Sequence, residues 1–160
     1  MPTSEHEVVT IEKTPKIYPM CEDYARQQAD KPVVVMSCEG ACLRGEVARR
    51  ASNLLCHKLA ADKTVRLCLG GAFTKDGGQR SLVRHAERVI AVEGCFLECA
   101  TRMMKGVVPE LAAEVVIADR LYEFDRRLFG IDEMPEEEIK AHAREVANSL
   151  LVMISTPVPA

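Results

Sequence analysis

The sequence has no tryptophan and few other aromatic side chains, with three tyrosines and four phenylalanines in 160 residues. Its 21 lysines and arginines are outnumbered by 24 acidic residues, which gives a net charge of −3 and a pI near 5.8. Proteins that bind nucleic acids need an excess of positive charge, often beside aromatic side chains that stack on bases. We therefore expect no nucleic-acid partner.

Long apolar runs are also missing. No apolar stretch approaches the roughly 20 residues that cross a bilayer. The segment from Met1 to Glu12 is acidic and lacks the basic start and apolar core of a secretory signal. We expect a cytoplasmic protein with no membrane partner. A chain of this length supports one compact domain with its own core.

What the sequence does contain is an alternation of strand and helix patterns. Runs rich in valine and isoleucine predict strands at 33–36, 64–69, 88–92 and 115–118. Apolar residues at three- and four-residue spacing predict helices from Leu43 to near Asp62, through 81–86, after Cys95 and from Pro135 onward. Residues 70–78 are predicted to form a glycine-rich loop, and 120–134 have no clear assignment.

This alternation predicts an α/β fold. We expect a single three-layer domain with a mostly parallel sheet of about four strands and helices on both faces, Rossmann-like or flavodoxin-like. The near-continuous apolar strands fit burial on both faces. We divide the chain into an N-terminal arm, residues 1–31, packed on the domain with a short helix at 18–30, and a cysteine-rich α/β domain, residues 32–160.

The seven cysteines are the main functional signal. Five of them follow predicted strands beside glycines, in Cys38-Glu-Gly-Ala-Cys42, Cys68-Leu-Gly70-Gly71 and Gly94-Cys95-Phe-Leu-Glu-Cys99. Because the carboxyl ends of parallel strands share one edge, these thiols should face the crevice where open α/β sheets bind ligands. The four-residue spacing within two of the segments would place each pair on one face of a helix's first turn.

Thiolates are soft ligands that suit Zn²⁺, Cu(I) and iron–sulfur clusters. The cysteine-rich domain is therefore predicted to be a metal-binding domain with Zn²⁺ as its cofactor, or alternatively an iron–sulfur cluster. The candidate metal ligands are Cys38, Cys42, Cys68, Cys95 and Cys99. The remaining two cysteines differ, because Cys56 falls in an apolar helix stripe typical of the core and Cys21 has no partner in the sequence.

Three segments resemble the DGC-domain family, zinc-binding proteins named for an Asp-Gly-Cys motif. The segments are Cys38-Glu-Gly40, Cys68-Leu-Gly70-Gly71 and Glu93-Gly94-Cys95-Phe96-Leu97-Glu98-Cys99-Ala100. The resemblance covers roughly residues 33–105 and implies that Cys38, Cys68, Cys95 and Cys99 chelate zinc. Glu93 replaces the aspartate of the motif and Phe96 stands where proline is usual, but neither change removes a thiol. Cys42 lies outside the family's four ligands.

Two classes of function fit these residues. The first is zinc binding through thiolates at the strand ends, in metal sensing, storage or delivery. The second is thiol or sulfur transfer, or iron–sulfur redox chemistry, with the same cysteines. A zinc-stapled scaffold for a protein partner, or a homo-oligomer, is also compatible with the sequence. No nucleophile with an adjacent base, paired carboxylates or cofactor fingerprint is visible, so the sequence identifies no catalytic residue.

Overall fold

The computed structural model describes residues 5–157. In chain order, its helices and strands are α1 (Pro19–Gln27), β1 (Val33–Ser37), α2 (Leu43–Leu54), β2 (Thr64–Arg66), α3 (Leu69–Thr74), α4 (Gly78–His85), β3 (Arg88–Glu93), α5 (Cys99–Val107), β4 (Ala113–Ile117) and α6 (Glu136–Ser155). A π-helical turn, Leu55–Leu59, extends α2, and short 3₁₀ turns span Ala118–Arg120 and Ile131–Glu133. None of these helices combines the length and the apolar character that crossing a membrane requires.

The four strands form one parallel sheet in the order β2-β1-β3-β4. Val33 of the central strand β1 lies opposite Thr64 of β2 and Arg88 of β3. From β1 the chain passes outward to β2 and then returns to β3 on the other side of β1. The strand order therefore reverses between β1 and β3, the type of position where doubly wound sheets bind ligands. The predicted α/β domain with a parallel four-stranded sheet is confirmed.

Helices cover both faces of the sheet, as predicted. Val33 and Val35 of β1 belong to a core formed with α2 and α6, whereas Val34 and Met36 belong to a second core formed with α1, α3, α4 and α5. Successive strand residues point to opposite faces. All five residues of β1 are buried, which explains why the sequence has an unbroken apolar run there instead of an alternating pattern.

Strand β4 departs from this pattern. It begins at Ala113, earlier than the predicted 115, and its residues Glu114 and Val115 are exposed. Because β4 is the last strand and pairs only with β3, its residues are less enclosed than those of the inner strands. The expectation of burial on both faces is wrong for this strand.

The predicted glycine-rich loop is partly helical. Gly70 and Gly71 lie within α3, and Gly78 begins α4. Side chains form hydrogen bonds with backbone groups of α3. The Cys68 sulfur accepts the N–H of Gly71, and Arg80 donates to the Ala72 carbonyl oxygen. Tertiary hydrogen bonds of this kind stabilise a helix that glycine alone would disfavour.

The predicted helix at 18–30 is present as α1, which packs beside α4. The Glu22 carboxylate of α1 accepts the N–H of Gly78 at 3.0 Å. The first four residues of the predicted arm and the last three of the predicted domain, 158–160, lie outside the described residues.

The unassigned segment 120–134 crosses the start of α2. The N–H of Leu43 donates to the carbonyl oxygen of Phe129 at 2.8 Å, and Cys42 forms a β-bridge with Gly130. The Arg44 guanidinium binds the Asp119 carboxylate at 3.1 Å, and it also donates to two carbonyl oxygens of the segment. This segment therefore packs directly against the backbone of Cys42.

Candidate metal centre

The carboxyl edge of the sheet positions the backbone of three predicted ligands. Cys38 follows β1 directly, Cys68 follows β2 after one residue, and Cys95 follows β3 after one residue. The hydrogen bonding between strands continues past the strand ends. The N–H of Cys38 donates to the Val92 carbonyl oxygen at 3.0 Å, and the N–H of Leu67 donates to the Val35 carbonyl oxygen at 2.9 Å. Cys38 therefore lies at the point where the strand order reverses, with the exits of β2 and β3 on its two sides.

Close backbone contacts join the loop after β1 to the loop after β3. A Cβ on Gly94 would lie 2.7 Å from the backbone nitrogen of Gly45, and a Cβ on Gly45 would lie 2.8 Å from the carbonyl oxygen of Gly40. Real Cβ atoms do not approach other atoms so closely, so only glycine permits this arrangement. Gly45 and Gly94 thus bring the Cys38–Cys42 loop and the start of α2 against the exit of β3.

Cys38 and Cys42 form the first thiol pair. A Cβ on Gly40 would lie 3.4 Å from the Cys38 sulfur and 3.6 Å from the Cys42 sulfur. The Cys42 sulfur also accepts the N–H of Gly45 at 3.4 Å, which caps α2. The two sulfurs therefore flank the space that Gly40 leaves empty.

Cys38 interacts electrostatically with Cys99. Burial raises the pKa of the Cys38 thiol above its ordinary value, and negative charge on Cys99 and Glu93 raises this pKa further. The backbone N–H groups of Gly40 and Gly94 oppose the shift, because hydrogen bonds to the thiolate lower the pKa. A bound cation would act in the same direction as these amides, since it favours the thiolate form of its ligands.

Glu93 is a fully buried carboxylate that fixes the start of α5. It accepts the N–H and the hydroxyl of Thr101, both at 2.7 Å, and the N–H of Ala100 at 3.2 Å. These bonds satisfy donors at the helix start and hold Cys99, the first residue of α5, near the end of β3. In the sequence Glu93 is visible only as a departure from a motif, because a carboxylate seven and eight residues before the amides that it binds has no local spacing signature.

Cys68 lies beside Cys21, a thiol for which the sequence offered no partner. A Cβ on Gly71 would lie 3.3 Å from each of the two sulfurs. The buried Gln79 side chain joins the pair, because its Nε2 donates to the Cys21 sulfur at 3.3 Å and its Oε1 accepts the N–H of Cys68 at 2.9 Å. The packing of α1 on α4 produces this contact, which no sequence spacing indicated.

The thiols are therefore arranged as pairs in this structure. Cys38 lies near Cys42 and interacts with Cys99, and Cys68 lies near Cys21. Within residues 5–157, no three cysteine, histidine, aspartate or glutamate side chains form a group that could hold a metal ion. All seven cysteines have free thiols.

Two predictions about the surroundings of the cysteines have opposite outcomes. The predicted first-turn pairs are wrong, because Cys42 caps α2 from outside and Cys95 precedes α5, so neither pair shares a helix face. The core position of Cys56 is confirmed by its 4% exposure within the α2–α6 core.

The fold and these thiols define the class of protein: a doubly wound α/β domain with cysteines along the carboxyl edge of its sheet. The family model of the DGC domain matches residues 34–146, which is most of the chain. The protein therefore belongs to the DGC domain family, as the motifs at Cys38, Cys68 and Cys95 predicted. No curated protein and no solved structure gives a significant match to the chain.

Proposed function

We propose that this protein binds zinc through cysteine thiolates at the carboxyl edge of its sheet. The ligands are Cys38, Cys68, Cys95 and Cys99, with Cys42 as an additional thiol of the same site. The observation that carries this proposal is the position of Cys38, which follows β1 where the strand order reverses and whose sulfur shares the Gly40 space with Cys42. The electrostatic influence of Cys99 on Cys38 supports it.

The electrostatics of Cys38 support a cationic ligand. Burial together with the charges of Cys99 and Glu93 holds the pKa of Cys38 above its ordinary value, so the metal-free site keeps its proton. Zinc would displace protons from its cysteine ligands and reverse this preference. The N–H groups of Gly40 and Gly94 already stabilise the thiolate that zinc requires.

The pairing of the thiols fits a site that assembles when the metal arrives. Zinc held by four thiolates has no open position for a water, which suits a structural or regulatory role. Because Cys68 lies beside Cys21 in this structure, binding would draw its side chain toward Cys38. A site that forms only when metal binds would suit metal sensing, storage or delivery, and we place the protein in the cytoplasm, where thiols stay reduced.

Elemental analysis after zinc loading of the reduced protein tests this function. We expect about one zinc per chain, since four thiolates complete a tetrahedral site. The double variant Cys95→Ser with Cys99→Ser should lose the metal, whereas the matched Cys56→Ser variant, which changes a buried core thiol, should retain it. Unchanged zinc content in the double variant would contradict the proposal.

A second candidate function uses the same thiols for sulfur transfer or redox chemistry. It is favoured by the exposure of Cys68 at an open cleft of about 290 Å³, lined by polar and charged residues that include Arg49, His57 and Arg66. The absorption spectrum of the isolated protein separates the two functions, because an iron–sulfur cluster absorbs at about 400 nm and zinc does not. Thiol titration before and after chelation shows whether a reactive cysteine remains when metal is bound.

A further inference from the structure

Cys21 lies outside the matched residues 34–146 and outside the proposed zinc ligands, yet it contacts the region around Cys68. Both sulfurs lie 3.3 Å from the point where a Gly71 Cβ would stand, so at most twice that distance separates them. The Cγ of Gln79 lies 3.0 Å from the same point, so this side chain borders the gap between the two sulfurs. Rotation of the two cysteine side chains would bring the sulfurs toward the S–S bonding distance of about 2.0 Å.

The surroundings hold both sulfurs at the edge of this gap. The Gln79 amide donates to the Cys21 sulfur, and the N–H of Gly71 donates to the Cys68 sulfur at 3.2 Å. Gln79 is only 2% exposed and also accepts the N–H of Cys68, so its position is fixed by burial and by bonds to both sides. One buried side chain thus sets the relative position of the two thiols.

The two thiols differ in accessibility. Cys68 is exposed and borders the open cleft, whereas Cys21 is half-buried on α1. An exposed thiol beside a less accessible second thiol is the arrangement of attacking and resolving cysteines in redox-sensing proteins. By this criterion Cys68 would be the attacking thiol and Cys21 the resolving thiol.

We propose that Cys21 and Cys68 form a redox-active dithiol that closes to a disulfide by exchange with a low-molecular-weight disulfide. The Cys68 thiolate attacks one sulfur of the small disulfide, so a mixed disulfide forms and one small thiolate leaves. The Cys21 thiolate then attacks the Cys68 sulfur, and the second small thiolate leaves. The two protein protons end on the two released thiols, so the dithiol loses two electrons and the small disulfide gains them.

A consequence for zinc rests on the proposed function. The disulfide removes Cys68 from the thiols at the carboxyl edge, so oxidation and metal binding compete for the same sulfur. The disulfide itself requires no metal, and it is tested on the metal-free protein.

The test treats reduced, metal-free protein with glutathione disulfide, blocks the remaining thiols and maps tryptic peptides by mass spectrometry. Peptide 17–26 contains Cys21 as its single cysteine, and peptide 67–75 contains only Cys68. We expect these two peptides to be linked to each other. In the Cys21→Ser variant, the mixed disulfide with glutathione should accumulate on Cys68 at least about tenfold over wild type, because the resolving thiol is gone.

A pair of glycine variants tests the geometry without removing a thiol. Gly71→Ala places a methyl 3.3 Å from both sulfurs and 3.0 Å from the Gln79 Cγ, whereas Gly70→Ala in the same helix has no atom within 4 Å of the added Cβ. Gly71→Ala should slow formation of the Cys21–Cys68 link, and Gly70→Ala should not.

The proposal is overturned if wild-type Cys68 remains a mixed disulfide or links to the peptide of Cys38 and Cys42 or to that of Cys95 and Cys99. Equal rates in the two glycine variants would also overturn it. Absence of zinc binding would contradict the proposed function alone, since the disulfide test contains no metal.

Discussion

At the scale of single residues, two glycines each lie beside a pair of cysteine sulfurs. Gly40 separates Cys38 from Cys42, and Gly71 separates Cys21 from Cys68. A Cβ at Gly40 would meet the two sulfurs, and a Cβ at Gly71 would meet two sulfurs and also the Gln79 Cγ at 3.0 Å, so the nearest contacts in both places are side-chain atoms. These positions therefore allow the site to be altered while the fold is kept.

Gly40→Ala should weaken zinc binding. The added Cβ would lie 3.4 and 3.6 Å from the Cys38 and Cys42 sulfurs, which is ordinary van der Waals contact, so the fold should persist while the space between the thiols is filled. We expect a loss of about 10- to 100-fold in zinc affinity, the range for changes next to metal ligands. Competition titration with a chelator measures this effect.

Gly106→Ala is the matched control, because no atom lies within 4 Å of its added Cβ and the residue is in α5, away from the sulfurs. Its zinc affinity should equal that of wild type. Equal affinities for wild type and both variants would show that the Gly40 space is not part of the zinc site.

Sequence reasoning at this scale succeeded where the signal was local. Cysteine beside glycine after an apolar strand indicated the carboxyl edge, and it singled out Cys38, Cys68 and Cys95. It failed for Cys21, whose hydrogen-bond partner Gln79 is 58 residues away in the sequence. Contacts of that kind are created by helix packing, and no spacing rule encodes them.

At the scale of secondary-structure elements, Glu93 links the end of β3 to the start of α5. Its carboxylate accepts three hydrogen bonds from Ala100 and Thr101 without any contact with solvent. The position of Cys99, a proposed zinc ligand, therefore depends on a residue that is not itself a thiol.

Glu93→Gln should lower the free energy of unfolding by about 1–3 kcal/mol, because the amide nitrogen cannot accept a hydrogen bond from buried donors. Urea unfolding of the metal-free protein measures the change. Glu98→Gln is the control, since the Glu98 side chain makes no capping hydrogen bond and its loss of charge is the same. If both variants lost equal stability, charge alone would explain the effect of Glu93.

The elements themselves were predictable to different degrees. The inner strands and α6 follow from apolar runs and helical spacing, because burial on both faces leaves a strong pattern. Helix α3 was missed, since its two glycines disfavour helix. Its ends are stabilised by the Cys68 sulfur, which accepts the N–H of Gly71, and by Arg80, which donates to the Ala72 carbonyl oxygen. The segment 120–134 has little regular structure, and its place over α2 depends on Arg44.

At the scale of the whole molecule, four thiols and phenols that are buried or half-buried share one direction of pKa shift. Burial raises the pKa of the Cys38 and Cys56 thiols above their ordinary value of 9.0. Burial likewise raises the pKa of the Tyr24 and Tyr122 hydroxyls above 10.0. In alkaline solution the folded state therefore keeps protons that the unfolded chain releases.

The metal-free protein should lose stability as the pH rises above 9. At a pH below the pKa in the unfolded chain, both states hold the proton and the free energy of unfolding has its full value. Between the pKa of the unfolded chain and the higher pKa of the folded protein, the unfolded state binds fewer protons. Its free energy then falls relative to the folded state, so the free energy of unfolding decreases. The slope is at most about 1.4 kcal/mol per pH unit for each such group.

Urea unfolding between pH 7 and pH 10.5 in the presence of a reductant measures this loss. Cys56→Ala should show a smaller slope than wild type, because one of the buried thiols no longer titrates. A stability that is constant or rises above pH 9 would contradict the shared direction of the shifts.

The reversal of strand order at β1 has one more consequence. Cys42 leads into α2, which packs with α6 on one face, whereas Cys68 leads into α3 and Cys99 begins α5 on the opposite face. The two helical layers touch the same strands but belong to separate cores. A single ion bound across the top of the sheet would tie these two halves together, so loss of the ion would loosen both sides of the molecule at once.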